Sequence, residues 1–132
     1  MRLEVIKGES VDAYLIREAL EEGWIRVEVF DGALATELLD VSGLHRGEAE
    51  AILLARELDA LLIVDDREAS VVARAFGIRC LGTLGVLLSG LSKGLMEYED
   101  FIECLDDMIG LGFRLSIEVY KRVLREAKRL AK

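Results

Sequence analysis

The sequence contains no proline, asparagine or glutamine, and its 132 residues include one histidine and two cysteines. A single histidine excludes zinc sites built on several histidines, and we expect His45 to be a solvated loop residue. Cys80 and Cys104 lie far apart in apolar surroundings, which predicts small buried side chains in a reducing compartment rather than disulfides. The lack of thermolabile amides beside many charged residues is a feature of thermophilic proteins.

A long apolar segment is also missing. The longest apolar run, from Leu81 to Leu91, is interrupted by glycines and is too short to span a bilayer. The first residues, MRLEVIKGES, lack the apolar region of a signal peptide. We therefore expect a cytoplasmic protein without a membrane partner.

The charge is predominantly acidic. The chain has 17 basic and 25 acidic residues, hence a formal net charge of −8. This charge disfavours avid binding to a phosphate backbone but leaves open a local contact bridged by a metal ion. Because 52% of the residues are hydrophobic, the chain can form a core, and its length predicts one domain over residues 1–132.

Helical periodicity and capping residues recur along the chain. Ser10 and Gly23 have the positions of a helix start and a helix end, and Ser116 precedes the last apolar repeat. In the helix over 46–58 we expect Ile52, Leu53 and Leu58 to be buried. The predicted helices cover residues 11–22, 33–39, 46–58, 67–76, 84–93, 98–109 and 116–130.

Three segments between the helices are predicted to be strands. Residues 24–30 alternate apolar and polar side chains, as in a half-buried strand. Residues 60–66 and 78–82 are short apolar runs, typical of parallel strands buried on both faces. Strands that alternate with helices predict an α/β fold with a parallel sheet and right-handed crossovers.

Three acids are predicted to meet at one edge of this sheet. Glu48 begins the helix before the strand that ends in Asp65 and Asp66, so all three belong at the carboxyl end of the sheet. Crowded carboxylates need a counter-charge, and Mg²⁺ or Mn²⁺ is suited to oxygen ligands. The alternative is that the acids stabilise helix starts, with Asp65 and Glu68 forming a capping box and Thr83 capping the next helix.

The segment LHRGEAEAILLARELDALLIVDDREASVVARAFGIRCLGTLGVL resembles PIN-domain nucleases. It is most similar to a prokaryotic branch with the motifs GExEA, DD and GTLGVL in this order, and GFRLS–EVYKRVL resembles that branch's last helix. The resemblance implies a three-layer parallel sheet flanked by helices. It also implies a toxin-type ribonuclease in which four acids bind one or two Mg²⁺ or Mn²⁺ ions, with RNA as substrate and an antitoxin as partner.

The same resemblance assigns roles to individual acids. Glu48 corresponds to the acid that opens the helix before the fourth strand, and Asp66 to the acid after that strand, so both are expected to be catalytic metal ligands. Asp65 is an adjacent candidate ligand. Glu4 corresponds to the acid of an early helix.

The sequence departs from the family pattern at its beginning. PIN domains begin with two strands, the first of which carries a metal-binding acid. We expect the fold here to be truncated at the N-terminus, unless another subunit supplies the missing strand. One consequence is that the chain is either a ribonuclease or an inactive remnant that acts as a binding or assembly module. Another is that exposed strand edges favour a homodimer, unless the helix over 10–22 fills the gap in a monomer.

Overall fold

The computed structural model describes residues 10–29 and 32–131, and the chain divides after Leu58 into two compact units. The first unit contains the helices α1 (Val11–Glu22), α2 (Gly32–Ser42) and α3 (Arg46–Leu58). In the second unit the order of elements is β1 (Leu62–Ile63), α4 (Arg67–Ala75), β2 (Cys80–Leu81), α5 (Thr83–Ser92), α6 (Tyr98–Gly110) and α7 (Ile117–Leu130). The mixture of helices with a parallel strand pair confirms the α/β class, while a single domain over 1–132 stays a prediction.

Helix α1 begins and ends where its capping residues predict. The Ser10 hydroxyl oxygen accepts a hydrogen bond from the Ala13 N–H at 3.2 Å. At the other end Gly23 has a φ of 85°, which glycine adopts without strain, and its N–H donates to the Leu20 carbonyl. Local sequence therefore determines both ends of this helix.

Helices α2 and α3 pack against each other in the first unit. Ala35 and Leu38 of α2 and Ala49 and Ile52 of α3 are buried. The expected burial of Leu58 is wrong, because its side chain is 54% exposed. At 3.6 residues per turn, Leu58 lies on the side of α3 opposite the buried residues.

The strand predicted over residues 24–30 is not present in its described part, residues 24–29. These residues are irregular, and Trp24, Val27 and Val29 are exposed. Alternation of apolar and polar residues favours a strand only where another strand supplies hydrogen bonds and cover. In the described part of the chain no strand pairs with this segment. Phe30 lies outside the described residues.

The second unit contains a parallel pair of short strands connected by α4. Leu62 lies opposite Cys80 and Ile63 opposite Leu81. The Leu62 N–H donates to the Arg79 carbonyl at 2.9 Å, and the Val64 N–H to the Leu81 carbonyl at 3.0 Å. The predicted positions of both strands are confirmed, but each strand is two residues long.

Burial of this strand pair differs from the expectation of two covered faces. Leu62 is buried, whereas Leu61 and Ile63 are exposed. Successive side chains of a strand point to opposite faces, so one face of β1 is covered and the other is not. A continuous apolar run predicted cover on both faces, which the described residues do not supply.

The helices α5, α6 and α7 form the core of the second unit. Its centre consists of Leu91, Phe101, Leu105, Val123 and Ala127. The Tyr120 hydroxyl of α7 donates to Asp106 of α6 at 3.0 Å, and this hydrogen bond raises the pKa of Tyr120. Cys104 of α6 is exposed and Cys80 is half-buried, so the expected burial of the cysteines is wrong for Cys104.

Within residues 10–29 and 32–131, every helix is too short or too polar to span a bilayer.

The helical core predicts a large difference between two identical substitutions. Leu105 is fully buried, and Leu111, just beyond the end of α6, is 90% exposed. We expect Leu105→Ala to lower the free energy of unfolding by about 2–5 kcal/mol, since it removes buried apolar atoms and leaves a cavity. Leu111→Ala should change it by less than about 0.5 kcal/mol. Urea denaturation measures both, and equal losses would contradict this packing.

Candidate functional site

The carboxylate of Asp65 connects the end of β1 to the start of α5. Its Oδ1 accepts a hydrogen bond from the Thr83 N–H at 2.8 Å, and its Oδ2 accepts one from the Thr83 hydroxyl. The Thr83 N–H is one of the donors that a helix start leaves without an intrahelical acceptor. Asp65 therefore stabilises the N-terminus of α5 from across the strand pair.

This contact corrects two predictions about helix caps. Asp65 was expected to cap α4, but it binds the start of α5 instead. Thr83 was expected to cap α5, but the N-cap residue is Gly82, and the Thr83 hydroxyl is used by Asp65. The sequence around Asp65 and Thr83 is compatible with the predicted caps and with the observed contact. Only the pairing of β1 with β2, which brings Asp65 to Thr83, distinguishes the two.

Gly82 provides the room for the Asp65 carboxylate. A Cβ atom at position 82 would lie 2.9 Å from Asp65 Oδ1, closer than side chains normally approach. The Gly82–Thr83 pair of the GTLGVL segment thus has a physical role, since glycine permits the approach and threonine donates the hydrogen bonds.

Asp66 is the N-cap residue of α4. Its Oδ2 accepts a hydrogen bond from the Ala69 N–H at 2.8 Å, which fixes the side chain at the carboxyl end of β1. Its other oxygen, Oδ1, accepts no hydrogen bond from the described residues. The side chain is exposed, so this oxygen is available to a ligand.

Glu48 lies in the first turn of α3, in the first unit, and is held by His45. His45 Nδ1 accepts a hydrogen bond from the Glu48 N–H at 3.3 Å, and His45 Nε2 contacts Glu48 Oε1. The imidazole is exposed, as expected, but it also stabilises the helix start and orients the Glu48 carboxylate. The three-residue spacing between His45 and Glu48 was the sequence signal for this pairing.

The second carboxylate oxygen of Glu48 bears most directly on metal binding. Glu48 Oε2 is buried and has no hydrogen-bond partner among the described residues. An unpaired buried polar atom costs about 1–3 kcal/mol, and more when the group is charged. A cation would offset this cost, so Glu48 fits the ligand set of an Mg²⁺ or Mn²⁺ ion.

The structure places the predicted ligands in different parts of the chain. Asp65 and Asp66 lie together in the second unit, Glu48 lies in the first, and Glu4 lies outside the described residues. Among residues 10–29 and 32–131 there is no group of three or more His, Cys, Asp or Glu side chains that could hold a metal ion. A shared site of Glu48, Asp65 and Asp66 stays a prediction.

Comparison with known proteins tests the resemblance to PIN domains. No curated protein and no solved structure matches the chain significantly. The family DUF3368, described as a PIN domain, matches residues 3–129, which include most of both units. The resemblance carried by the GExEA, DD and GTLGVL motifs is confirmed, and the chain belongs to this family of PIN domains.

Proposed function

We propose that the chain is a metal-dependent ribonuclease of the toxin type. Membership in a PIN-domain family suggests a nuclease-like function, and PIN domains generally use divalent metal ions. The observation that carries the proposal is the buried, unpartnered Oε2 of Glu48. The two neighbouring acids of the DD motif, Asp65 and Asp66, lie at the carboxyl end of β1 and would supply further oxygen ligands.

Each acid has a distinct part in this proposal. Glu48 and Asp66 would hold Mg²⁺ or Mn²⁺, because each has an oxygen without a partner among the described residues. Asp65 would position the site through its contact with Thr83, and its remaining lone pairs leave it a candidate ligand. Glu4 is a further candidate ligand.

The chemistry follows from this arrangement. A bound divalent cation supplies Lewis-acid stabilisation of phosphate charge and lowers the pKa of a bound water molecule. The Ala69 N–H fixes the rotamer of Asp66, and His45 fixes that of Glu48, so neither carboxylate must reorganise when it binds a ligand. A toxin-type ribonuclease also implies a cytoplasmic location and a protein antitoxin.

A second candidate function is a binding or assembly module without catalytic activity. The observation that favours it is the absence of a group of three potential metal-binding side chains in the described part of the chain. Such a module would retain a PIN fold without the complete set of acids, and β1 and β2 would then be part of a larger three-layer sheet.

An RNA cleavage assay separates the two functions. We expect cleavage of single-stranded RNA with Mg²⁺ or Mn²⁺ and none with EDTA. Asp66→Asn should lower the rate by more than about 100-fold, because the loss of a residue that only supports a metal ligand already costs about 10–100-fold. Asparagine is as good an N-cap as aspartate, so the fold should persist. Glu68→Gln, in the first turn of the same helix, is the matched control and should leave the rate nearly unchanged. Inactivity of the wild-type chain at high protein and metal concentrations would favour the second function.

The exposed face of β1 supports a homodimer as part of this proposal. Leu61 and Ile63 are exposed beside a strand pair that is two residues long. A second copy would cover these side chains and remove apolar surface from water.

Light scattering tests this assembly at tens of micromolar protein. We expect a mass of twice the 14.7 kDa of one chain. Ile63→Lys should convert the dimer to a monomer, because it places a charge in the covered face. The control Leu95→Lys alters an exposed turn residue and should leave the mass unchanged. A wild-type mass of 14.7 kDa would contradict the dimer.

A further inference from the structure

A groove in the second unit lies between the start of α6 and the exposed side of α7. It has a volume of about 310 Å³ and is lined by Tyr98, Lys121, Leu124, Arg125 and Lys128. This volume is at the lower end of the range of small-ligand sites, about 300–1,000 Å³. Leu124 is half-buried, whereas the three cationic side chains are exposed. The groove thus combines an apolar floor, an aromatic ring and three positive charges.

The three cations form one row on the helix. Lys121, Arg125 and Lys128 are spaced four and three residues apart, a spacing that places side chains on the same face of a helix. Seven residues at about 1.5 Å per residue give the row a length of about 10 Å. Like charges at this spacing destabilise a helix unless an anion lies between them.

The described residues do not neutralise this row. No ion pair of Lys121, Arg125 or Lys128 is present among them, whereas Arg129 on the same helix is paired with Glu126. Arg129 also lowers the pKa of Glu126, which keeps that carboxylate ionised and bound to Arg129. Helix α7 carries five cations and two carboxylates in a chain whose net charge is −8. A positive row without partners in an acidic protein points to an external anion.

We propose that this groove binds the phosphodiester backbone of a single-stranded nucleic acid. The guanidinium of Arg125 can donate two hydrogen bonds to one phosphate, and the two lysines supply point charges on either side. Successive phosphates of a stacked strand are separated by about 3.4 Å when measured along the axis of the strand, so a row of about 10 Å spans about three of them. Tyr98 adds an aromatic ring beside the cations, a combination found in surfaces that bind single strands.

The aromatic ring favours a nucleic acid over an acidic peptide. A peptide rich in aspartate or glutamate would neutralise the three charges, but its side chains have no ring to stack on Tyr98. The inference rests on the proposed function only for the choice of RNA as the natural strand. Binding without divalent metal tests it separately from cleavage.

The test measures binding of fluorescein-labelled oligonucleotides of twelve uridines or twelve thymidines by anisotropy, at low salt and with EDTA. The groove variant combines Lys121→Gln, Arg125→Gln and Lys128→Gln. The control variant combines Lys93→Gln, Arg114→Gln and Arg122→Gln, which remove the same charge at exposed positions that do not line the groove. Circular dichroism establishes that both variants are folded.

We expect the groove variant to bind at least about tenfold more weakly than the wild type and the control less than about threefold more weakly. The dependence of log K on log salt should lose about two units of slope, since each phosphate contact to a single strand contributes about 0.7. Equal affinity for both oligonucleotides supports recognition of the shared phosphodiester backbone, and preference for one of them identifies the strand.

Three results would overturn the proposal. The first is that the groove and control variants lose the same affinity, because the effect would then be one of net charge. The second is that neither oligonucleotide binds the wild-type chain at low salt. The third is that a polyglutamate peptide of equal charge binds more tightly than both oligonucleotides and loses affinity in the groove variant, which would assign the groove to an acidic peptide.

Discussion

The position of the candidate site depends on the contact between Asp65 and Thr83 across the carboxyl ends of two parallel strands. Two paired strands of two residues each have few inter-strand hydrogen bonds, and each of these bonds contributes about 1 kcal/mol to stability. Such a pair needs further contacts to keep the strand ends in place. Asp65 connects the end of β1 to the first turn of α5, which belongs to the helical core. Asp66 follows directly and caps α4, so the two neighbouring carboxylates fix the starts of two helices.

The chemistry of these contacts leaves part of each carboxylate available. Asp66 uses one oxygen for α4, and Glu48 uses one oxygen for His45. In both cases a contact of one carboxylate oxygen orients the side chain, while the other oxygen has no partner among the described residues. A side chain held in this way loses little conformational entropy when it binds a cation. A carboxylate that takes part in stabilising a helix start can therefore also be a metal ligand, so the two interpretations of the acids are compatible.

The sequence predicted the helices better than the strands, for a physical reason. The ends of α1 and α7 depend on Ser10, Gly23 and Ser116, whose hydrogen bonds are local and can be recognised from the sequence. A strand depends on a partner that lies elsewhere in the chain. The apolar alternation at residues 24–29 has no partner in the described part of the structure, and that segment is irregular.

The candidate site was predictable in its residue types but not in its contacts. The motif around Asp65 and Asp66 indicated acids at a strand end, and the structure places both there. Asp65 and Asp66 are adjacent, and the sequence did not identify which of them caps α4. The hydrogen bond between Asp65 and Thr83 joins positions that are 18 residues apart. Periodicity and capping rules describe neighbours along the chain, so they could not identify this long-range contact.

Charge is distributed unevenly over the second unit. Helix α6 carries acids at Glu99, Asp100, Glu103, Asp106 and Asp107, whereas the exposed side of α7 is mainly basic. A net charge of −8 therefore does not describe every surface of the chain. The acids proposed as metal ligands and the basic row of α7 thus lie on different elements.

We propose that Glu48 and Asp66 both bind a divalent metal ion. Paramagnetic broadening by Mn²⁺ in amide NMR spectra tests it most directly, because the effect falls steeply with distance from the ion. The account predicts that substoichiometric Mn²⁺ selectively broadens the amide signals of Glu48, Asp65, Asp66 and Thr83. Broadening centred on the acids of α6, or broadening of Asp65 and Asp66 without Glu48, would contradict it.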